Sequence, residues 1–128
     1  MQSATKEEVN EFQNLKVNYR ALVGSLNYLS ILTWPDISYA VSVLLQQLEN
    51  PGIKNYNAET QVFCYLAGTK HLGILFTSGE SLSLSASVGT DWGNCPDARQ
   101  LSTGYVVLSR NQLISWKATW QATVSLSS

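Results

Sequence analysis

The order of its patterns predicts an α+β chain, a three-helix segment followed by an incomplete antiparallel sheet. From Val17 to Leu66 apolar residues recur at three- and four-residue steps, the period of a helix that buries one face. Beyond Gly68 the period drops to two: Leu82, Leu84, Ala86 and Val88 alternate with Ser81, Ser83, Ser85 and Ser87. Helices in one run and strands in the next pack as α+β or as two adjoining units, and the boundary is expected near residues 77–81.

Residues 1–16 are polar, carry several glutamates and suit a loose arm or a short helix. The first main helix is carried by Tyr19, Leu22, Val23, Leu26, Leu29 and Ile31 or Leu32. It should end near Thr33, because Trp34 precedes a proline and is pushed out of helical geometry. Pro35 suits the first turn of a second helix, with Thr33 or Trp34 as its cap and Asp36 facing the positive end of the dipole. The apolar stripe of that helix is Ile37, Ala40, Val41, Leu44, Leu45 and Leu48, and Asn50-Pro51-Gly52 stops it. A third helix is expected from about Asn55 to Leu66, with Tyr56, Val62, Phe63 and Leu66 inward and Gly68 as its C-terminal cap. About four strands follow. Leu72–Thr77 is short, apolar and closed by Ser78-Gly79, and the serine alternation supplies the next. Ser102–Ser109 and Leu113–Lys117, joined through Arg110-Asn111, read as an antiparallel hairpin. Without covering helices, one apolar face of this sheet is expected to be bare.

At 128 residues the chain fits one ordinary domain or the abutting pieces of two. Charged residues make up only 13% of it, against the usual ~25%, which suggests that part of the surface lies against something else. A net charge of −1 argues against tight nucleic-acid binding by this chain alone, because such binding needs cations that displace counterions from phosphates. Cys64 and Cys95 lie far apart with His71 as the lone histidine, so a zinc site is not expected and a reducing compartment is. No apolar run approaches the ~20 residues of a membrane span, and Met1 is followed by a polar stretch. The expectation is a soluble intracellular chain, cytoplasmic or nuclear, with no membrane partner and no secretion.

Five segments together resemble the Pol polyprotein of copia-type retrotransposons. They are Tyr19-Arg-Ala-Leu-Val-Gly-Ser-Leu-Asn-Tyr-Leu29, Thr33-Trp-Pro-Asp-Ile-Ser-Tyr-Ala-Val41 and Tyr65-Leu-Ala-Gly-Thr-Lys70 with Gly73-Ile-Leu. The fourth runs through Asp91-Trp92, Asp97-Ala-Arg99, Ser102-Thr-Gly-Tyr105 and Ile114-Ser-Trp-Lys117, and the fifth is Thr123–Ser128. Each is weak alone; their order and spacing cover about residues 17–128. The resemblance implies a polar arm over 1–16, a helical reverse-transcriptase thumb or connection over 17–79, and the opening of a ribonuclease H-like sheet over 80–128. In that family the polymerase carboxylates lie upstream, and ribonuclease H carboxylates hold two divalent metals, Mg²⁺, that activate water on the RNA strand of an RNA–DNA hybrid.

The resemblance also implies that the nuclease site is broken. The family's first ribonuclease strand reads like Tyr-Ser-Asp-Ala-Asp-Trp, and here the matching stretch is Ser87-Val88-Gly89-Thr90-Asp91-Trp92. The metal-binding aspartate falls on Gly89, which has no oxygen to offer. Asp91 shares its side of the strand but is displaced by about 6 Å, too far to replace it. Asp91 is therefore either a vestigial metal ligand or, the favoured reading, a turn or N-cap residue. No catalytic set is intact, and no cofactor is expected for this chain, against Mg²⁺ in the parent family. Asp97 and Arg99 match a family Asp-x-Arg and are read as an ion pair steadying a turn. The family's basic positions are occupied by Trp34, Gln61, Cys64, Ala67 and Gln100. The cations left for nucleic acid are Lys70, Arg99 and Lys117.

Other candidates are weaker. Ser25 lacks the Gly-x-Ser-x-Gly of a nucleophile elbow and is read as a small packing residue. His71 has no partner in sequence and reads as a turn residue. Trp34, Trp92, Trp116 and Trp120 are read as core or interface residues before base-stacking ones. The expected function is a fragment or relic of a retrotransposon reverse transcriptase and ribonuclease H, inactive here. Its partners would be the rest of the polyprotein and, weakly at best, an RNA–DNA hybrid or primer–template. The alternative is a domesticated, non-catalytic protein-binding module that uses the same fold.

Overall fold

The computed structural model describes residues 3–79, 81–91 and 102–121, with the backbone only for Asp91. The chain is α+β and divides into two compact units, residues 1–71 and 72–128. The boundary between His71 and Leu72 precedes the expected one, because Thr77 is tied to the hairpin: the Gln112 side-chain amide donates to the Thr77 hydroxyl at 2.5 Å and to its carbonyl at 3.2 Å.

The first unit has four helices rather than three. The polar N-terminal segment is a helix, α1 (Lys6–Asn14), opened by a capping box. The Thr5 hydroxyl accepts from the Glu8 N–H at 3.4 Å, and the Glu8 carboxylate accepts from the Thr5 N–H at 2.9 Å. Phe12 is its one buried residue and anchors it, edge-on to Tyr19 at 6.0 Å between ring centroids. Asn18 caps α2 (Tyr19–Leu32), its side-chain oxygen accepting from the Ala21 N–H at 3.1 Å. The expected stripe holds for Tyr19, Val23 and Leu26, which are buried, whereas Ile31 and Leu32 at the end of the helix are exposed.

The second expected helix is split. Pro35–Ile37 forms a 3₁₀ turn, with Trp34 at its cap and no side-chain capping bond, and α3 follows over Ser38–Leu45. Proline lacks the N–H and fixes φ, so the chain starts this element with a tighter turn. It ends before Leu48 because the Gln46 and Gln47 N–H groups bond to the carbonyls three residues back, at 3.3 and 3.2 Å. The last helix, α4, spans Ile53–Thr69 and is longer than expected. Gly68 is not its cap but lies inside it; Lys70 is the C-cap, and the Thr69 hydroxyl bonds back to the Tyr65 carbonyl at 2.7 Å. A glycine signals a helix end only where the backbone must turn left-handed, and here it does not.

The core of this unit is Phe12, Tyr19, Val23, Leu26, Ile37, Val41 and Leu44, with Trp34, Leu48, Tyr56, Val62, Phe63 and Leu66 packed against it. Two of its polar members are also fully enclosed, Asn55 and Glu59 of α4, each 1% exposed. At the start of α4 the Asn55 side-chain oxygen accepts from the Gly52 N–H at 2.8 Å. A methyl group on Gly52 would lie 2.6 Å from the Cβ of Ala4 and 3.2 Å from that of Glu8. The glycine is there for close approach, since its φ of −104° is open to any residue.

The second unit is a three-stranded antiparallel sheet in the order β1 (Leu84–Asp91), β2 (Ser102–Ser109), β3 (Gln112–Trp120). The hairpin expected at Arg110-Asn111 is present. Both turn residues have positive φ, 51° and 64°, the type I′ geometry that matches strand twist. The Arg110 N–H donates to the Ser83 carbonyl at 2.9 Å and its guanidinium donates to the Ser81 carbonyl, which pins the stretch before β1 to the turn. The register slips once: Val107 faces Ser115 and Leu108 faces Leu113, which leaves Ile114 as a bulge. Leu72–Thr77, expected as a strand, forms none. No strand of the described sheet pairs with it, and Leu75 and Phe76 are 77% and 61% exposed. An apolar run without a ladder partner leaves its backbone to water. As expected, the sheet's apolar side chains are poorly covered: Leu84 and Val88 are 64% and 72% exposed.

Two substitutions test this packing. Leu26→Ala, at a position with no exposure, should cost the helical unit about 2–5 kcal/mol. Gly52→Ala should force α1 away from α4 and cost about 1–3 kcal/mol. Urea unfolding followed by the helical circular dichroism signal measures both, and an unchanged midpoint for Gly52→Ala would refute the close contact.

Candidate functional site

The strand that carries the candidate metal position is β1. It reaches residues 89 and 91 in extended form because Val88, Thr90 and the alternating serines favour a pleated strand. Its register with β2 sets Gly89 opposite Gly104 and Asp91 opposite Ser102, and β3 adds Ala118 and Trp120 to those two rows. The row through Gly89 is therefore Gly89–Gly104–Ala118, three residues with no side chain larger than a methyl group. A Cβ built on Gly89 meets nothing within 4 Å. The position has room for a side chain and has none.

That row does not suit a divalent cation. Mg²⁺ takes oxygen ligands in near-octahedral array, and neither glycine nor alanine offers a side-chain oxygen. Among the described residues no group of three His, Cys, Asp or Glu comes together. Asp91 lies two residues along the same strand, facing Ser102 in the ladder.

The candidate cations are scattered. Lys117 belongs to the row Val88–Tyr105–Lys117, one residue away from the Gly89 row, so the pleat puts it on the opposite face of the sheet. Lys70 is exposed and caps α4 in the other unit. Arg99 lies outside the described residues, as do its expected partner Asp97, Trp92 and Cys95. Cys64 is exposed and unpaired. His71 is in the turn that closes α4, as expected of it. Ser25 is exposed and not a packing residue; its hydroxyl bonds to the Ala21 carbonyl at 3.1 Å. Trp34 packs on the helical core, as expected, and Trp116 and Trp120 are half-buried.

One feature was not expected from the residue pattern. The 3₁₀ turn, α3 and α4 enclose an open, mainly apolar cavity of about 440 Å³, lined among others by Tyr39, Ala40, Val43 and Val62. At its rim the Tyr65 hydroxyl donates to the Asp36 carboxylate. That hydrogen bond raises the Tyr65 pKa above its usual value, because losing the proton would set two anions side by side. Asp36 and Tyr65 come from separate motif segments, Thr33–Val41 and Tyr65–Lys70, which the fold joins across 29 residues. Each segment was visible in the sequence, but nothing in their spacing revealed that they touch.

Over 110 residues, 86% of its length, the chain is 42% identical to the retrovirus-related Pol polyprotein from transposon RE2 of Arabidopsis thaliana. It is 36% identical over 111 residues to an uncharacterized mitochondrial protein of the same plant, and 33% identical over 112 residues to the secreted RxLR effector protein 161 of Plasmopara viticola. It spans 8% of the first relative, 46% of the second and 79% of the third. No family model matches the chain, and no solved structure matches it. Relatives from transposons RE1 and TNT 1-94 match across the same stretch at 41% and 37% identity, and with them the chain belongs to the retrovirus-related Pol polyproteins of copia-type transposons.

Proposed function

We propose that this chain is a relic of the reverse transcriptase and ribonuclease H region of such a polyprotein, and that it no longer cleaves RNA. In this reading residues 17–79 are the helical thumb or connection, which in the parent grips the primer–template, and residues 80–128 open the ribonuclease H-like sheet. The observation that carries it is the side-chain-free row at Gly89, where the resemblance puts the first metal ligand of the nuclease. The candidate cations for an RNA–DNA hybrid are Lys70, Arg99 and Lys117, and Lys117 lies across the sheet from Gly89. Mg²⁺ would supply the nucleophile and neutralise the phosphate in the parent; the residues on this strand do not hold it.

A second reading is favoured by one comparison. The Plasmopara viticola relative is 79% covered by this chain, so sequences of this kind also occur in short proteins outside a polyprotein. In that reading the poorly charged surface, with Tyr28 and Ile31 each 65% exposed, serves contact with another protein.

Hybrid binding separates the two readings. The relic should bind an RNA–DNA duplex weakly, and with about three phosphate contacts its affinity should fall about 40-fold between roughly 50 and 200 mM salt. Salt-insensitive binding, or none, favours the protein-contact reading. Cleavage of the hybrid by the chain in Mg²⁺ would overturn the inactive reading outright. Gly89→Asp should leave stability within about 0.5 kcal/mol, since the position is open and exposed. A large loss of stability would show that the strand is packed otherwise.

A further inference from the structure

Asn55 and Glu59 stand one turn apart on α4, and both are 1% exposed. Asn55 is hydrogen-bonded at the start of the helix. Glu59 is not matched in this way: its Oε2 atom is buried with no hydrogen-bond partner. A carboxylate oxygen buried without a partner loses its hydration and gains nothing in return when the group ionises, so burial favours the protonated form.

Among the described residues no ion pair to Glu59 compensates for this. On α2, Tyr19 donates its hydroxyl to the Leu44 carbonyl at 3.1 Å, and burial first, then the nearby Glu59 carboxylate, disfavour its ionisation. On α4 itself, Lys54 is engaged with Glu8 of α1 at 2.6 Å, the one ion pair among the described residues. The other charged groups of α1, Lys6, Glu7 and Glu11, are exposed. From the 3₁₀ turn and α3, Asp36 accepts from Tyr65 and Tyr39 is 53% exposed.

We propose that Glu59 makes the helical unit a proton-dependent fold: the neutral carboxyl is enclosed when the helices pack, and its ionisation favours opening of the unit around α4. Burial alone pushes the Glu59 carboxyl up from 4.5 to about 6. The folded unit therefore binds this proton more tightly than the unfolded chain does. The stability contributed by this proton is fully present below about 4.5 and is lost as pH rises through about 6, a change of about 30-fold in the folding equilibrium. Glu8 works in the opposite sense. Its hydrogen bond from Lys54 lowers its pKa, so its contribution is lost only as pH falls below the ordinary carboxylate range.

The test uses the whole chain. Urea unfolding followed by helical circular dichroism should show a midpoint that falls between pH 4.5 and pH 7.5, and Glu59→Gln should remove most of that fall. The same fall in Glu59→Gln overturns the proposal. If Glu59→Gln does not fold, carboxyl carbon NMR of the unmodified chain decides: a Glu59 titration midpoint near 6 supports the switch, and one at the ordinary value near 4.5 overturns it.

Discussion

The buried apolar core of the helical unit gathers round one face of α2. Tyr19, Val23 and Leu26 of α2 are buried, the last two with no exposure at all, and the other buried apolar residues come from α1, the 3₁₀ turn and α3. Exclusion of water from a few large aliphatic and aromatic groups is the main favourable term available to a unit this small. Phe12 draws in α1, Ile37 the 3₁₀ turn, and Val41 and Leu44 draw in α3. The Tyr19 hydroxyl satisfies its own polarity on the Leu44 carbonyl, so the ring can lie in the core without a stranded donor. The helix caps and the Glu8–Lys54 pair refine positions that this face has already set.

The sheet unit stands on different ground. Its strongest ties are ladder hydrogen bonds and the type I′ turn, with none of its described apolar residues fully buried. Main-chain bonds alone add little net stability in water, because the unfolded chain makes the same bonds to solvent. Among its described apolar side chains Leu84 and Val88 are mostly exposed.

Much of this was legible from the residue order. The stripe from Tyr19 to Leu26 marked α2, the serine alternation marked β1, and Arg110-Asn111 between two β-rich runs marked the hairpin. What failed were inferences from single residues. Gly68 suggested a helix end, but a glycine is compatible with a continuing helix when the turns around it pack well. Leu72–Thr77 had the composition of a strand, but a strand also needs a neighbour, and composition does not supply one. The Asp36–Tyr65 contact and the enclosure of Glu59 are tertiary facts: each depends on how α4 lies against the rest of the helical unit, which periodicity does not encode. Gly89 was legible because the surrounding motif named the position, and the register then showed what stands beside it.

That open space above Gly89 bears on how such a strand changes over generations. Every glycine codon becomes an aspartate or glutamate codon through a transition at its middle base, so position 89 is one nucleotide away from an acidic residue. No neighbouring side chain has to shift to admit or to release a carboxylate there. The described scaffold therefore leaves room at Gly89 for a side chain to be gained or lost.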